Sequence, residues 1–149
     1  MKLPRSDSSV HDGDVVKTSW SSNVIVLHVL YTVTTSRYAF HGVLAKNLDW
    51  SAQDEPNSDE LLWVYNIAGQ VSLWQEMRQR PKAGAEFTDH EIQEIIGHYE
   101  LEDGRLFYAI KWAGYECPTW EPEGSLGAYK ETILDYWLSL IQVYIRWKS

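Results

Sequence analysis

The sequence predicts an α+β fold, in which a small three-stranded antiparallel sheet is followed by one helix. A mostly β or irregular N-terminal segment precedes them. In the second half, short runs with β-type apolar alternation are separated by turn residues. Asp103-Gly104, a strong hairpin signal, lies between the first two runs. From Tyr129 onward the apolar residues instead recur at helical spacing, at positions 129, 133, 137, 141 and 144.

The N-terminal half begins with two runs that are typical of β-strands. Residues 24–33 (VIVLHVLYTV) are rich in β-branched side chains and are expected to form a buried strand. Residues 38–44 are expected to pair with it. The following stretch, residues 47–60, is polar and rich in turn formers, so it is expected to be a loop.

Residues 61–79 fit two different structures. Residues 61–67 and 71–77 flank Ala68-Gly69-Gln70, which is consistent with a hairpin, but a single helix over the whole stretch fits almost as well. This half of the chain contains no Gly-rich phosphate loop, nucleophile elbow or His/Asp cluster. We therefore expect no catalytic residues and no cofactor, since an enzyme would need such a constellation.

The second half predicts each strand of the small sheet in turn. Residues 91–100 are expected to form the first strand, residues 106–112 the second, and Thr119-Trp120-Glu121 a short third. The Asp-Gly pair predicts a tight turn with positive φ at both positions. Pro122 lacks an amide hydrogen and is expected to end the third strand.

The predicted helix continues past the sheet-covering part into residues 139–149. This extension is apolar on nearly all sides, and such a helix is normally buried. We expect it to pack within the chain, with self-association or contact with a partner as alternatives. Membrane anchoring is not expected, because the run is short and Asp135 interrupts it.

The charge of the chain argues for a basic partner. Lys and Arg number 13 against 21 Asp and Glu, a formal net charge of −8. Residues 1–80 carry a net charge of −2, and residues 81–149 carry −6. Binding to the phosphates of a nucleic acid needs a surplus of Lys and Arg, so sequence-specific contact with DNA or RNA is not expected.

The division in charge coincides with a linker. Residues 81–85 (PKAGA) combine Pro, Gly and small side chains and separate an uncharacterised segment, residues 1–80, from residues 86–138. Cys117 is the only cysteine, which excludes an internal disulfide and a cysteine zinc site. No metal site is expected, and the residues at the N-terminus are not expected to form a secretory signal. We expect a reduced, intracellular environment.

Several motifs in the second half follow one another in a specific order. They are EIQEII (91–96), EDG (102–104), YAIKWAGY (108–115), TWEPE (119–123) and SL (125–126), with the predicted helix after them. In this order they resemble the chromodomain family over about residues 86–138. The resemblance implies an SH3-like three-stranded sheet with a C-terminal helix, and a methyl-lysine reader of the heterochromatin-protein kind.

The resemblance also implies a cation-binding cage with three aromatic walls. Trp112 and Tyr115 match two of the wall positions, and His90 falls on the third. Methylation removes N–H donors from a lysine but leaves its charge, so aromatic faces attract it by about 0.5–2 kcal/mol per good contact. Because protonated His90 would repel the cation, binding is expected to be weaker than in a full cage or to fall as pH drops through ~6.5.

The bound peptide would lie as an added β-strand between residues 87–92 and residues 121–127. The resemblance implies that acidic side chains in the second segment attract a basic tail, and that a serine there contacts the peptide. In the short loop after Tyr115, only Glu116 could stand near the methylammonium. The peptide-binding residues implied in this way are Phe87, Glu116, Glu121, Glu123 and Ser125.

The sequence therefore predicts a non-enzymatic, nuclear chromatin protein whose partner is a methylated histone tail. The alternative is a degenerate chromodomain derived from a retroelement, which acts only as a protein–protein interaction module. Ordinary packing also explains some of the same residues. Trp112 and Tyr115 are compatible with simple aromatic packing, and Trp120 is expected to hold the sheet against the helix.

Overall fold

The computed structural model describes residues 9–19, 23–48, 59–74 and 91–148, with side chains described as far as Gln142. These residues form a five-stranded and a three-stranded antiparallel sheet and one C-terminal helix, which confirms the predicted α+β class. The predicted linker, residues 81–85, lies outside the described residues.

The first sheet contains five strands in sequential order. Its two ends also meet, since the Lys17 amide donates to the Val71 carbonyl at 2.8 Å and the Leu73 amide donates to the Lys17 carbonyl at 3.0 Å. Buried valines fill the space that the sheet encloses. The strands are β1 (Val15–Val16), β2 (Val24–Thr34), β3 (Ala39–Asn47), β4 (Asp59–Ile67) and β5 (Gln70–Leu73).

The predicted pairing of the first two long strands is confirmed, since β2 and β3 are antiparallel neighbours. The expected loop over residues 47–60 is wrong at its end. Asp59 and Glu60 extend β4, where they pair with Lys46 and Ala45 of β3. The Lys46 ammonium also lies 3.6 Å from the Asp59 carboxylate. Pairing with a neighbouring strand therefore outweighs the local polarity that predicted a loop.

A hairpin, and not the alternative helix, joins β4 to β5. Its turn places Ala68 at φ 55° and Gly69 at φ 87°, which matches the right-handed twist of the flanking strands. Asn66 stabilises the turn, because its side-chain oxygen accepts a 2.9 Å hydrogen bond from the Gly69 amide. Residues 75–79, which the helix alternative also included, lie outside the described residues.

The second sheet follows the predicted order. It contains β6 (Ile92–Glu100), β7 (Leu106–Trp112) and β8 (Thr119–Pro122), with β7 in the centre. Two short 3-10 turns, Glu123–Ser125 and Gly127–Tyr129, lead into helix α1 (Lys130–Lys148). The three strands and the helix predicted from the sequence are confirmed.

The turn between β6 and β7 differs from the predicted two-residue turn. Glu100 and Leu106 form the last pair, and Gly104 has a positive φ of 92°, but Asp103 does not share it. The loop is therefore longer. Asp103 closes it from the side, as its carboxylate accepts hydrogen bonds from the Arg105 amide at 3.0 Å and from Arg105 Nε at 2.8 Å.

The small sheet lies between the other two layers. Along β7, Tyr108, Ile110 and Trp112 belong to a core cluster shared with the helix. Ala109 belongs instead to a cluster shared with the five-stranded sheet, and Phe107 packs against that cluster. Alternation along one central strand thus joins three layers, with both of its faces covered.

The C-terminal part of α1 does not pack as expected. The expectation of packing within the chain is wrong for the part of the extension whose side chains are described, because Leu140 and Ile141 are 39% and 51% exposed. Leu138, just before the extension, is 46% exposed. Leu134, one turn earlier, is also exposed. The body of the protein covers the other side of the helix, through Ile133 and Trp137. No helix among the described residues is long and apolar enough to cross a membrane.

Candidate functional site

Trp112 lies at the end of β7 and is completely buried, with 0% of the residue exposed. It shares a core cluster with Tyr108, Ile110 and Leu126. The Tyr129 ring meets it edge-on, with ring centroids 5.6 Å apart and an angle of 73° between the planes. The indole fills the junction of sheet and helix, so a cation would reach its face only after a local movement.

A short hydrogen-bond chain fixes the orientation of that indole. Trp112 Nε1 donates to Thr119 Oγ1 at 2.8 Å, and the Thr119 hydroxyl donates to Glu121 Oε2 at 2.6 Å. Thr119 and Glu121 are both buried. Glu121 therefore does not present a surface charge here, and it acts on Trp112 through Thr119. Its implied contact with a peptide stays a prediction.

Tyr115 stands beside Trp112 in the turn that follows β7. Its side chain is half-buried and packs against the cluster that contains Trp112. Its amide donates to the Trp112 carbonyl at 3.2 Å, and Lys111 Nζ donates to the carbonyls of both residues. The two predicted cage residues are thus held together by one turn.

Four further predicted site residues separate into three groups. Glu123 is exposed, as a peptide-attracting charge would be. The Ser125 hydroxyl donates to the Pro122 carbonyl at 3.0 Å and so stabilises the first 3-10 turn. His90 and Phe87 lie outside the described residues, so the third wall and the upstream peptide contact stay predictions.

Glu116 forms contacts that the sequence did not predict. Arg37 Nη2 donates to one carboxylate oxygen at 3.2 Å, and Thr35 Oγ1 donates to the other at 3.1 Å. These two residues belong to the turn between β2 and β3. The hydrogen bond from Arg37 is the main cause of a lowered pKa for the Glu116 carboxyl. The only carboxylate in the loop between Tyr115 and Thr119 is therefore held by the five-stranded sheet.

A second link between the sheets involves Tyr31 and β6. The Tyr31 hydroxyl donates to the His98 carbonyl at 2.9 Å and accepts from the His98 amide at 3.1 Å. Its ring lies over Gly97, where a β-carbon would overlap it. The His98 ring continues the link to the helix, since its Nδ1 lies 2.6 Å from the Tyr136 hydroxyl. Burial raises the pKa of Tyr136 to about 12.

Trp120 also faces the five-stranded sheet, so its predicted role between sheet and helix is wrong. It stacks on Trp63, with centroids 5.5 Å apart and an angle of 27° between the planes. Its Nε1 donates to the Leu62 carbonyl at 3.0 Å. Gly42 of β3 makes room for this stack, because a β-carbon there would approach Trp63 Cη2 to 2.8 Å.

The other aromatic and titratable groups in the described ranges are packed together or buried. Tyr38, Phe40, Tyr65 and Trp74 form a cluster whose ring centroids lie 5.0–6.3 Å apart. The Arg37 guanidinium already lies over the Tyr38 ring, 5.5 Å from its centroid. Burial raises the pKa of the Cys117 thiol, which disfavours the reactive thiolate. Residues 9–19, 23–48, 59–74 and 91–148 contain no group of three His, Cys, Asp or Glu placed to hold a metal ion.

Comparisons with protein-family models, with curated proteins and with solved structures found no match to this chain.

Proposed function

We propose that the three-stranded sheet and its helix form a chromodomain-like module that binds a peptide containing a methylated lysine. The carrying observation is the pairing of Trp112 and Tyr115 in one turn, where they match the motif residues of the family. The module is not an enzyme and needs no cofactor. Its partner is a methylated histone tail, which places the protein in the nucleus, in heterochromatin.

The edges of the small sheet support capture of an extended peptide. Ile92 pairs with Trp112, and the Ala113 amide donates to the Glu91 carbonyl at 2.9 Å, so the chain enters β6 directly beside the two aromatic residues. On the other side, β8 ends at Pro122 and Glu123 is exposed. A basic peptide added as a strand would pass between these segments and meet a negative charge.

Burial of Trp112 affects the expected strength of binding. An indole with 0% exposure must be uncovered before it can contact a methylammonium. The free energy of that opening is subtracted from the cation–π attraction, because only the binding-competent fraction takes up the ligand. Binding is therefore weaker than in a preformed cage. A further fall at low pH is expected if His90 forms the third wall.

A second candidate function is a protein–protein interaction module that does not recognise methyl-lysine, as in a degenerate retroelement chromodomain. Two observations favour it. Trp112 is fully buried, and both carboxylate oxygens of Glu116 already have partners in the five-stranded sheet. In such a protein the aromatic residues only stabilise the core.

The two candidates differ in how they respond to lysine methylation. We propose to titrate the full chain with fluorescent histone-tail peptides that are identical except for trimethylation of one lysine. The reader hypothesis predicts about five- to thirty-fold tighter binding of the trimethylated peptide, a difference that Tyr115→Ala removes. Tyr99→Ala is the matched control, since Tyr99 packs toward the five-stranded sheet at the other end of β6. Equal binding of both peptides would reject methyl-lysine recognition and favour the second candidate.

A further inference from the structure

A buried carboxylate lies two hydrogen bonds away from the indole of Trp112. The indole Nε1 donates to Thr119 Oγ1 at 2.8 Å, and the Thr119 hydroxyl donates to Glu121 Oε2 at 2.6 Å. The three residues are 0%, 7% and 4% exposed. The second distance lies in the range of about 2.5–2.7 Å that is typical of a hydroxyl bonded to an ionised carboxylate. This geometry indicates that Glu121 carries a negative charge in the interior.

The small sheet fixes the positions of these three residues, which we call the indole relay. Trp112 is the last residue of β7, and Thr119 is the first residue of β8. Thr119 pairs with Ile110 and Glu121 with Tyr108, so both stand on paired backbone. Because they are two positions apart on one strand, their side chains lie on the same face of the sheet. The N–H edge of the indole is therefore held from β8, and the carboxylate stands behind it.

A charged relay at the N–H edge changes what a cation meets at the face of the indole. The cation is attracted by the negative faces of the ring. In a chain of hydrogen bonds each bond polarises the next, and the effect is larger in a low-dielectric interior. Glu121 therefore raises the electron density of the indole through Thr119. Its own charge also attracts the cation, since buried charges are screened little by salt.

A positive charge close to Trp112 gives this contribution a purpose. The Lys111 ammonium donates to the carbonyl oxygens of Trp112 and Tyr115, at the turn that holds the two predicted cage residues. A methylammonium bound at that turn is repelled by Lys111, because like charges disfavour one another at short range. The carboxylate of Glu121 offsets this repulsion from the neighbouring strand.

We infer that Glu121 strengthens the binding of a cation at Trp112 through Thr119, and does not contact the peptide itself. It is a positioning residue, since it acts through two hydrogen bonds. The site then selects a ligand by its positive charge and not by its shape alone. The inference rests on the proposed methyl-lysine binding. It gives Glu121 a different role from the surface contact that the family resemblance implies.

The test uses two histone-tail peptides that have the same shape at the modified residue. One contains trimethyl-lysine, and the other contains its neutral isostere, in which a tert-butyl group replaces the trimethylammonium. Both peptides, and the unmethylated peptide, are titrated against the full wild-type chain, Glu121→Gln, Thr119→Val, Thr119→Ser and the control Glu100→Gln. Glu100 is exposed and pairs with Leu106, at the end of the small sheet opposite to Trp112.

Wild type is expected to prefer the charged peptide over the isostere about tenfold. Glu121→Gln keeps the size and one acceptor oxygen of the side chain but removes its charge. It is expected to reduce the preference about three- to fivefold by weakening the charged peptide alone. Thr119→Val should have a similar effect because it breaks the relay, whereas Thr119→Ser keeps the hydroxyl and most of the preference. Glu100→Gln should leave the preference unchanged.

The Nε1–H resonance of Trp112 gives a second readout, which needs no ligand. It is expected to move to lower frequency in Glu121→Gln and in Thr119→Val, because the hydrogen bond from the indole weakens in both. It should stay in place in Glu100→Gln. A resonance that does not move in Glu121→Gln would show that the charge of Glu121 does not reach the indole, and would contradict the inference.

The peptide titrations separate the failure of the inference from the failure of the proposed function. If wild type prefers the trimethylated over the unmethylated peptide but Glu121→Gln weakens the trimethylated peptide and the isostere equally, or neither, Glu121 has no electrostatic role. The inference is then wrong and the proposed function stands. The same conclusion follows if wild type binds the isostere as tightly as the trimethylated peptide, or if Glu100→Gln reduces the preference as much as Glu121→Gln does. If wild type binds all three peptides equally, both are wrong.

Discussion

The Tyr31 ring lies directly over Gly97, in the place where any other residue would have its β-carbon. The Tyr31 hydroxyl then forms two hydrogen bonds with the backbone of the next residue, His98, at 2.9 and 3.1 Å. Because Gly97 has no β-carbon, the Tyr31 ring of the five-stranded sheet can pack directly against the backbone of β6, and this allows the two sheets to lie close together. The two halves of the chain are thus one packed unit in their described parts, although the sequence between them predicts a linker.

Gly97→Ala is expected to destabilise the protein by about 1–3 kcal/mol, because the new methyl group overlaps the Tyr31 ring. Urea unfolding of both proteins measures the change. Gly124→Ala is the matched control and should have little effect, since a β-carbon there meets nothing within 4 Å. In a Tyr31→Ala background the cost of Gly97→Ala should largely disappear. An equal cost in both backgrounds would contradict the contact.

Trp112→Ala is expected to lower the free energy of unfolding by about 3–5 kcal/mol, because it leaves a cavity and removes the donor to Thr119. Tyr115→Ala should cost clearly less, since that side chain is only half-buried. Thermal or urea unfolding of the two variants gives the comparison. Tyr115→Ala is therefore the variant whose loss of peptide binding can be interpreted. Equal destabilisation by the two changes would contradict the described burial.

The thiol of Cys117 is expected to react slowly with a thiol reagent such as DTNB in the folded protein. Burial excludes the reagent, and it also raises the thiol pKa, so the thiolate is scarce at pH 8. Because Cys117 is the only cysteine, the signal needs no assignment. In denaturant the same thiol should react at the rate of a free cysteine. Rapid labelling of the native protein would contradict the burial of Cys117 between the two sheets.

Leu138→Glu and Ile141→Glu are each expected to change the free energy of unfolding by no more than about 0.5 kcal/mol, as their side chains are exposed on α1. Leu126→Ala is the contrasting control and should cost about 2–5 kcal/mol, because Leu126 is only 1% exposed. The mass in solution, measured on the same samples, tests whether the chain self-associates through this exposed apolar face of α1. Destabilisation by the glutamates in a monomeric protein would show that the helix packs within the chain.

The sequence predicted those elements whose signals are local. Strand β7 was predicted with its observed bounds, because Leu106, Tyr108, Ile110 and Trp112 share one parity and a Gly-containing turn follows them. The Asp-Gly pair correctly located the β6–β7 connection, but its exact turn depends on Arg105, whose contacts with Asp103 favour a longer loop. The helix extension was expected to be buried because it is apolar. An apolar sequence predicts burial but does not indicate which surface covers the helix.

The contacts between the sheets had weaker signals or none. Arg37 and Glu116 are 79 positions apart, and nothing near either residue indicates the other. The same applies to Tyr31 and His98, which are 67 positions apart. Gly97 did offer a clue, since an isolated glycine in a strand often marks a close approach of another group. Burial of Glu121 was not foreseen either, because a carboxylate predicts exposure until a partner such as Thr119 is known.

The central claim, methyl-lysine recognition at Trp112 and Tyr115, can be followed directly at the Trp112 indole. The Nε1–H resonance of Trp112 is identified in a ¹⁵N NMR spectrum by its absence in Trp112→Phe, and is then observed during titration with matched trimethylated and unmethylated histone-tail peptides. The account predicts that the trimethylated peptide shifts this resonance to saturation, because the bound cation uncovers the indole and perturbs its bond to Thr119, while the unmethylated peptide leaves it nearly unchanged. A resonance that stays still with both peptides, or moves equally with both, would contradict the account.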